Sequence, residues 1–187
     1  MKKVYLFLFL MAGIAAAVSA QSSGCAPVMD KEGHIYKTMQ TDHFCVMVEN
    51  MRTTYDRYGK PISHYDTTAA NLNIPQFEYP KNNPDKDNVE NYGLLYTWEA
   101  AKNLCPEGWY LPSKDDIMIL RDYSASLCTG YSGCAHFSGK PSNSAFNCYQ
   151  WTSTEKNELS AYYVTHQDIS STDKSACFSV RCVYRKP

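Results

Sequence analysis

The sequence predicts an α+β domain: two helices packed on a small, twisted, mostly antiparallel sheet, with long loops and disulfide stabilisation. Three observations lead there. Segments rich in β-branched and aromatic residues, "HIYKTM", "FCVMVENM", "YQWTST", "SAYYVT" and "CFSVRCVYR", cluster toward the two ends of the chain and are separated by polar turns. Helix start and stop signals concentrate between them, in "YTWEAAKNLCPEGWYLPSKDDIMIL". All eight cysteines lie beyond a leader-like N-terminus, as in an exported chain that forms disulfides.

The leader comes first. Residues 1–20 combine Lys2 and Lys3 with an apolar run and end on Val18, Ser19 and Ala20, the pattern of a signal peptide cut before Gln21. A competing reading anchors the chain through a lipid on Cys25, which follows Gly24, although Ser22 stands where a lipoprotein signal has a large aliphatic residue. What remains, residues 21–187, is one domain's length. A formal net charge of −1 with no basic stripe argues against nucleic acid as a partner. No transmembrane segment is expected after cleavage.

"HIYKTM" and "FCVMVENM" are expected to be strands joined by the turn "QTDH". Residues 55–90, with "PKNNPDKDN" at their heart, have loop composition. Thr97 is placed to cap a helix presenting Trp98, Ala101 and Cys105 on one face, stopped by Pro106. Ser113 and Asp116 form a capping-box pair opening a second helix whose buried stripe runs through Ile117, Leu120 and Tyr123 or Ser124. Trp98 and Trp109 are expected to pack in the core. In the final strand, alternation puts Phe178, Val180, Cys182 and Tyr184 on one face and Cys177, Ser179, Arg181 and Val183 on the other. Cys182 is thereby available to a helix beneath the sheet, and Cys177 and Cys182 are poorly placed to share one bond or one metal.

The cysteines show no C-x-x-C pair, and the histidines at 34, 43, 64, 136 and 166 form no ligand-spaced pair, so no metal and no cofactor is expected. The ordered pieces "GHIYKT", "FCVMVENMRT", "YGLLYTWEAAKNLCPEGWYLPS", "WTST", "AYYV" and "FSVRCV" resemble the Fibrobacter succinogenes major paralogous domain, a family of exported proteins common in Bacteroidetes. The resemblance runs from Gly33 to Val183, and implies a fold similar to the C-type-lectin-like and formylglycine-generating-enzyme folds. It also implies a bond between a helix cysteine and one in the last strand, here Cys105 with Cys182, in agreement with the facing above. Cys128 and Cys134 are close enough to close a local loop, with Gly130 and Gly133 permitting the turn. Cys25 with Cys45 and Cys148 with Cys177 then keep each remaining pair within one zone.

Functionally, the resemblance favours an exported cell-envelope or secreted binding or adhesion module without catalytic activity, its partner a surface glycan or a protein. Aromatic and amide-bearing residues outside the expected core, including Tyr149, Trp151, Tyr162, Tyr163 and His166, suit either partner. Calcium-dependent sugar binding of the lectin kind is not expected, since no EPN or QPD tripeptide and no WND follows; "WTST" stands there instead. The alternatives are a structural component of a surface assembly or a diversified display protein, as some relatives are targets of diversity-generating retroelements. An oxidase like the formylglycine-generating enzymes would use Cys177 and Cys182 at their C-x-x-x-x-C spacing. Long irregular segments tend to carry function, and two stand out: residues 74–88 and the cysteine-bounded residues 128–148. Their aromatics Phe77, Tyr79, Tyr131 and Phe137 are the candidate contacts, with Tyr149 and Trp151 beside them.

Overall fold

Short strands paired into several small sheets, rather than one broad sheet, build the molecule. A computed structural model describes residues 24–66, 74–120, 134–135, 141–142, 148–165 and 168–186. In chain order the strands are β1 (Val28–Met29), β2 (Ile35–Tyr36), β3 (Thr38–Gln40), β4 (Phe44–Met47), β5 (Ser63–His64), β6 (Gln76–Glu78) and β7 (Leu95–Tyr96). They continue with β8 (Cys134–Ala135), β9 (Pro141–Ser142), β10 (Gln150–Glu155), β11 (Ser160–Val164), β12 (Ile169–Asp173) and β13 (Val183–Arg185). The helices are α1 (Lys86–Tyr92), α2 (Trp98–Ala101) and α3 (Lys114–Ile119), with a 3-10 turn at Pro80–Asn82. β1 pairs with β2 and β8 with β9; three-stranded sheets run β13-β4-β3, β5-β6-β7 and β10-β11-β12. Among the described residues the strand pairings are antiparallel except β5 with β6, so the class is α+β with mostly antiparallel sheets.

The last part of the chain joins these sheets. Tyr96 and Phe178 exchange N–H···O bonds of 2.8 and 3.0 Å, tying the end of β7 to residue 178. One residue on, Ser179 donates to the Tyr149 carbonyl and its own carbonyl accepts from Trp151, both at 3.1 Å. Val180 accepts from Met51 and Cys182 from Met47. Val183 then pairs with Val46 in β4 and exchanges bonds with Tyr110 at 2.9 Å in both directions. Because every backbone group buried away from water needs a partner, one segment crossing three sheets fixes their relative positions.

Side chains reinforce the same junction. The main core holds Tyr36, Met47, Tyr96, Trp98, Trp151, Phe178, Val180 and Cys182. Burying an indole N–H costs free energy unless it is bonded; here Trp98 Nε1 donates to the Thr152 carbonyl at 2.8 Å and Trp151 Nε1 to the Tyr96 carbonyl at 2.7 Å. A second cluster of Phe44, Val46, Ile117, Leu120, Val164 and Val183 lies between α3 and the sheets. Disulfides Cys25–Cys45 and Cys105–Cys182 stake the N-terminal segment to β4 and the turn after α2 to the C-terminal segment.

Several expectations need correction. Residues 55–90 are not simply loop, since β5, β6, the 3-10 turn and α1 lie there. α1 starts where the Asp85 side chain accepts from Asp87 N, but it buries none of its residues and so leaves no apolar periodicity to read. β12, "ISSTD", was expected as a polar turn; its backbone pairs along all of β11. The last strand spans only 183–185, and the preceding residues make isolated bridges. Within it, alternation holds for Phe178, Val180 and Cys182, which enter the main core; Cys177 packs with Leu95, and Tyr184, expected beside Phe178, is exposed. α2 is a single turn, so Cys105 follows it rather than riding on it. The Ser113–Asp116 capping box is present, with Ile117 and Leu120 buried; Tyr123 and Ser124 lie outside the described residues.

The pairing of Cys148 with Cys177 is also corrected. Cys148 is disulfide-bonded, whereas Cys177 is a buried thiol, its Sγ 4.0 Å from the Ser175 carbonyl. Residue 177 faces the small cluster with Leu95 and Tyr65, away from any second cysteine at bonding distance among the described residues. The Cys128–Cys134 pairing lies outside them.

Two measurements test this architecture. Replacing Cys105 and Cys182 together by alanine removes a cross-link across a sequence separation of 77 and should cost roughly 4 kcal/mol of unfolding free energy in the chain-entropy account; an unchanged thermal midpoint would mean the junction holds without it. Burial and the Asp30 carboxylate push Tyr36 above the ordinary tyrosine range, burial does the same to Tyr96 and Tyr110, and burial together with the charges at Cys177, Asp173 and Glu78 raises Tyr65 to about 12. A raised folded-state value favours the neutral ring, so this stability is complete below about pH 10 and is lost as pH climbs through the folded values. Absorbance at 295 nm should show one set of tyrosines ionising near pH 10 and a late set appearing together with the loss of circular dichroism.

Candidate binding surface

Aromatic, acidic and basic side chains converge where β5 meets β6. The parallel register puts Ser63 beside Gln76 and His64 beside Phe77, so the His64 ring stands next to the strand carrying Phe77, Glu78 and Tyr79. The imidazole is edge-on to Phe77, with centroids 5.5 Å apart, and tilted by 35° over Tyr79 at 5.3 Å. Phe77 and Tyr79 are themselves perpendicular at 5.6 Å. His64 Nε2 lies 3.1 Å from Glu78 Oε1, and the same oxygen accepts from Tyr79 N at 2.7 Å. One carboxylate oxygen thus orients both the imidazole and the start of the next turn. The His64 side chain is 52% exposed and Tyr79 half-buried.

The turn that follows is held in an uncommon shape. Lys81 and Asn82 both have positive φ, 58° and 51°, a region that residues other than glycine occupy at a cost and that recurs at functional sites. Asn88 on α1 offsets that cost by donating at 2.7 Å to the carbonyls of both Pro80 and Asn83. The resulting geometry sets Lys81 Nζ over the Tyr92 ring, 3.7 Å from its centroid, a cation–π contact. α1 in turn is seated through Gly93, whose φ is 73° and whose added Cβ would stand 2.5 Å from Asn50 Cβ and 2.7 Å from the Met51 carbonyl oxygen. Asn50 bridges the Tyr92 carbonyl to Arg181 Nε, each bond 2.8 Å. Burial lowers the Arg181 guanidinium toward about 10, opposed by the charge of Glu49.

The sequence-selected contacts divide sharply. Tyr79 belongs to the surface just described. Phe77 and Trp151 do not offer themselves to a ligand: both are in the main core, because Phe77 faces Tyr96 across β6 and β7 and Trp151 faces Tyr163 across β10 and β11. Tyr149 is half-buried, its ring stacked on Phe178 at 5.3 Å, and Tyr163 and Tyr162 are half-buried too, the latter beneath Lys114 Nζ. Tyr131, Phe137 and His166 lie outside the described residues. His64, Glu78, Lys81 and Tyr92 were not selected. Only the parallel β5–β6 pairing brings His64 to Glu78, and no local pattern in the sequence signals it.

Residues 44–129 match the family model of the Fibrobacter succinogenes major domain. The chain is similar to that family across this span, which includes the whole His64–Tyr92 surface but ends before β10 to β13. No curated protein matches the chain.

Seating α1 through Gly93 generates a direct test. Gly93→Ala forces the Asn50 and Met51 backbone to give way and should cost about 2 kcal/mol, read by denaturant unfolding. A neutral result would show that α1 is not fixed at this point.

Proposed function

We propose that the protein is an exported binding module with a C-type-lectin-like fold that holds a glycan at the His64–Glu78–Tyr79 surface and does not transform it. The observation that carries this reading is the tilted His64–Tyr79 ring pair with a carboxylate between them. A sugar presents C–H groups on one face and hydroxyls around its rim. The Tyr79 ring supplies an apolar face, Glu78 accepts hydroxyl hydrogens, and the exposed imidazole donates or accepts. The strained turn and the Asn88 bonds hold these groups before a ligand arrives, which reduces the ordering cost of binding.

Release into the surroundings is favoured over lipid anchoring. The Cys25–Cys45 bond uses the sulfur that a lipid on Cys25 would need, and disulfides form in oxidising compartments. Catalysis by the Cys177 and Cys182 pair is disfavoured for a related reason, since Cys182 is bonded to Cys105.

A glycan array probed with the full chain, alongside a pull-down from envelope extract, tests the proposal. Sugar-specific hits support it; a defined protein complex with no sugar hit moves the reading to a protein partner. Tyr79→Ala and His64→Ala should each weaken a sugar hit by about tenfold or more with a thermal midpoint within a few degrees of wild type. Unaltered affinity in both variants would remove this surface.

A further inference from the structure

The β10–β11–β12 sheet is covered on both faces and open along one edge. Trp151, Ala161 and Tyr163 pack into the main core, while Val164 and Ile169 pack with Ile117 and Leu120. Its β10 edge is blunted: the register shifts between Trp151 and Glu155, Gln150 bridges to Ser179, and Ser153 N donates to the Pro112 carbonyl. The other three-stranded sheets are closed in comparable ways. Phe178 bridges onto β7 and Tyr110 onto β13, Thr38 of β3 donates to the Cys25 and Ala26 carbonyls, and β5 is only two residues long. β12 has no such cover among the described residues.

Register identifies which of its groups face outward. Lys174 N donates to Leu159 O at one end of the β11–β12 ladder and Thr165 N to Asp168 O at the other. In an antiparallel ladder bonded and non-bonded pairs alternate, so Ser170 and Thr172 bond inward to β11. The N–H and C=O groups of Ile169 and Ser171 and the N–H of Asp173 therefore point away from the sheet. The five-residue register is uninterrupted, and the strand contains no proline, lysine or arginine, the devices that natural edges use against pairing.

We infer that the outer edge of β12 is a self-association surface, pairing antiparallel with β12 of a second copy about a two-fold axis at Ser171. The outward set is self-complementary in that register. Ser171 meets Ser171 of the second copy, and Ile169 meets Asp173, so no like charges within the strands stand opposite each other. The opposing feature is Lys156, whose Nζ donates to Ser171 Oγ at 3.0 Å. Two such ammoniums would approach each other at the axis. The pairing is consequently weak and strengthens as salt screens that repulsion.

Sedimentation velocity of the full chain, across a wide concentration range at low and high salt, tests this. The expected result is a monomer–dimer equilibrium that tightens with salt. Ser171→Pro deletes an outward N–H and leaves the β11 ladder intact, and should weaken dimerisation at least about tenfold; Lys156→Ser should tighten it at low salt. Amide exchange on the unaltered chain gives a reading that does not depend on how the proline variant folds: Ile169, Ser171 and Asp173 should gain protection with concentration while Ser170 and Thr172 do not. A chain monomeric under every condition, a proline variant that dimerises as well as wild type, or protection that ignores concentration overturns the assignment.

Discussion

The need to pair every buried backbone group along residues 178–183 governs this fold. No sheet in the described chain exceeds three strands, a size that holds only where a hydrophobic face or a neighbouring element packs against it. The C-terminal segment makes the sheets mutually dependent, because its successive residues bond to β7, β10 and β4 in turn. Side chains follow the backbone: Phe178, Val180 and Cys182 enter the main core while the buried Ser179 and Arg181 alternate with them, so a shift of one residue would misplace both sets at once.

The candidate surface inherits its rigidity from that junction. Arg181 sits within the segment, and its bond to Asn50 continues through the Tyr92 carbonyl to the end of α1. α1 supplies Asn88, which holds the left-handed turn, and the turn follows directly from Glu78 and Tyr79. A surface contact is thus traced in a few bonded steps to the most buried part of the molecule. This is a different arrangement from a loop displayed on a passive support, since the support and the displayed turn share bonded residues.

What could be read in the sequence was whatever depends on local chemistry. The capping box at Ser113 and Asp116 and the core position of Trp98 follow from neighbours within a few residues, whereas the helix expected to run up to Pro106 ends already at Ala101. Alternation in "CFSVRCV" was legible too, because Phe178, Val180 and Cys182 enter one cluster as a strand's geometry requires. Three kinds of feature were not legible. α1 buries no residue fully, with only Val89 partly packed on the main core, and so shows no apolar stripe; β12 is polar and is a strand only because β11 lies beside it; and the His64–Glu78 contact comes from a parallel pairing between distant short strands. Phe77 and Trp151 were misread for the same reason, as their burial is supplied by partners remote in sequence.

The Cys105–Cys182 bond has a consequence for how the chain matures. A polypeptide delivered from its N-terminus exposes its thiols in order, and Cys25 and Cys45 are the first two to appear, so their native partners meet without choice. Cys105 has no such advantage. It must remain reduced, or pair wrongly and exchange, while Cys128, Cys134, Cys148 and Cys177 all emerge ahead of Cys182. Thiol–disulfide exchange through mixed intermediates is slow without a catalyst, so any early pairing of Cys105 delays the Cys105–Cys182 bond in a way that has no counterpart for Cys25 and Cys45.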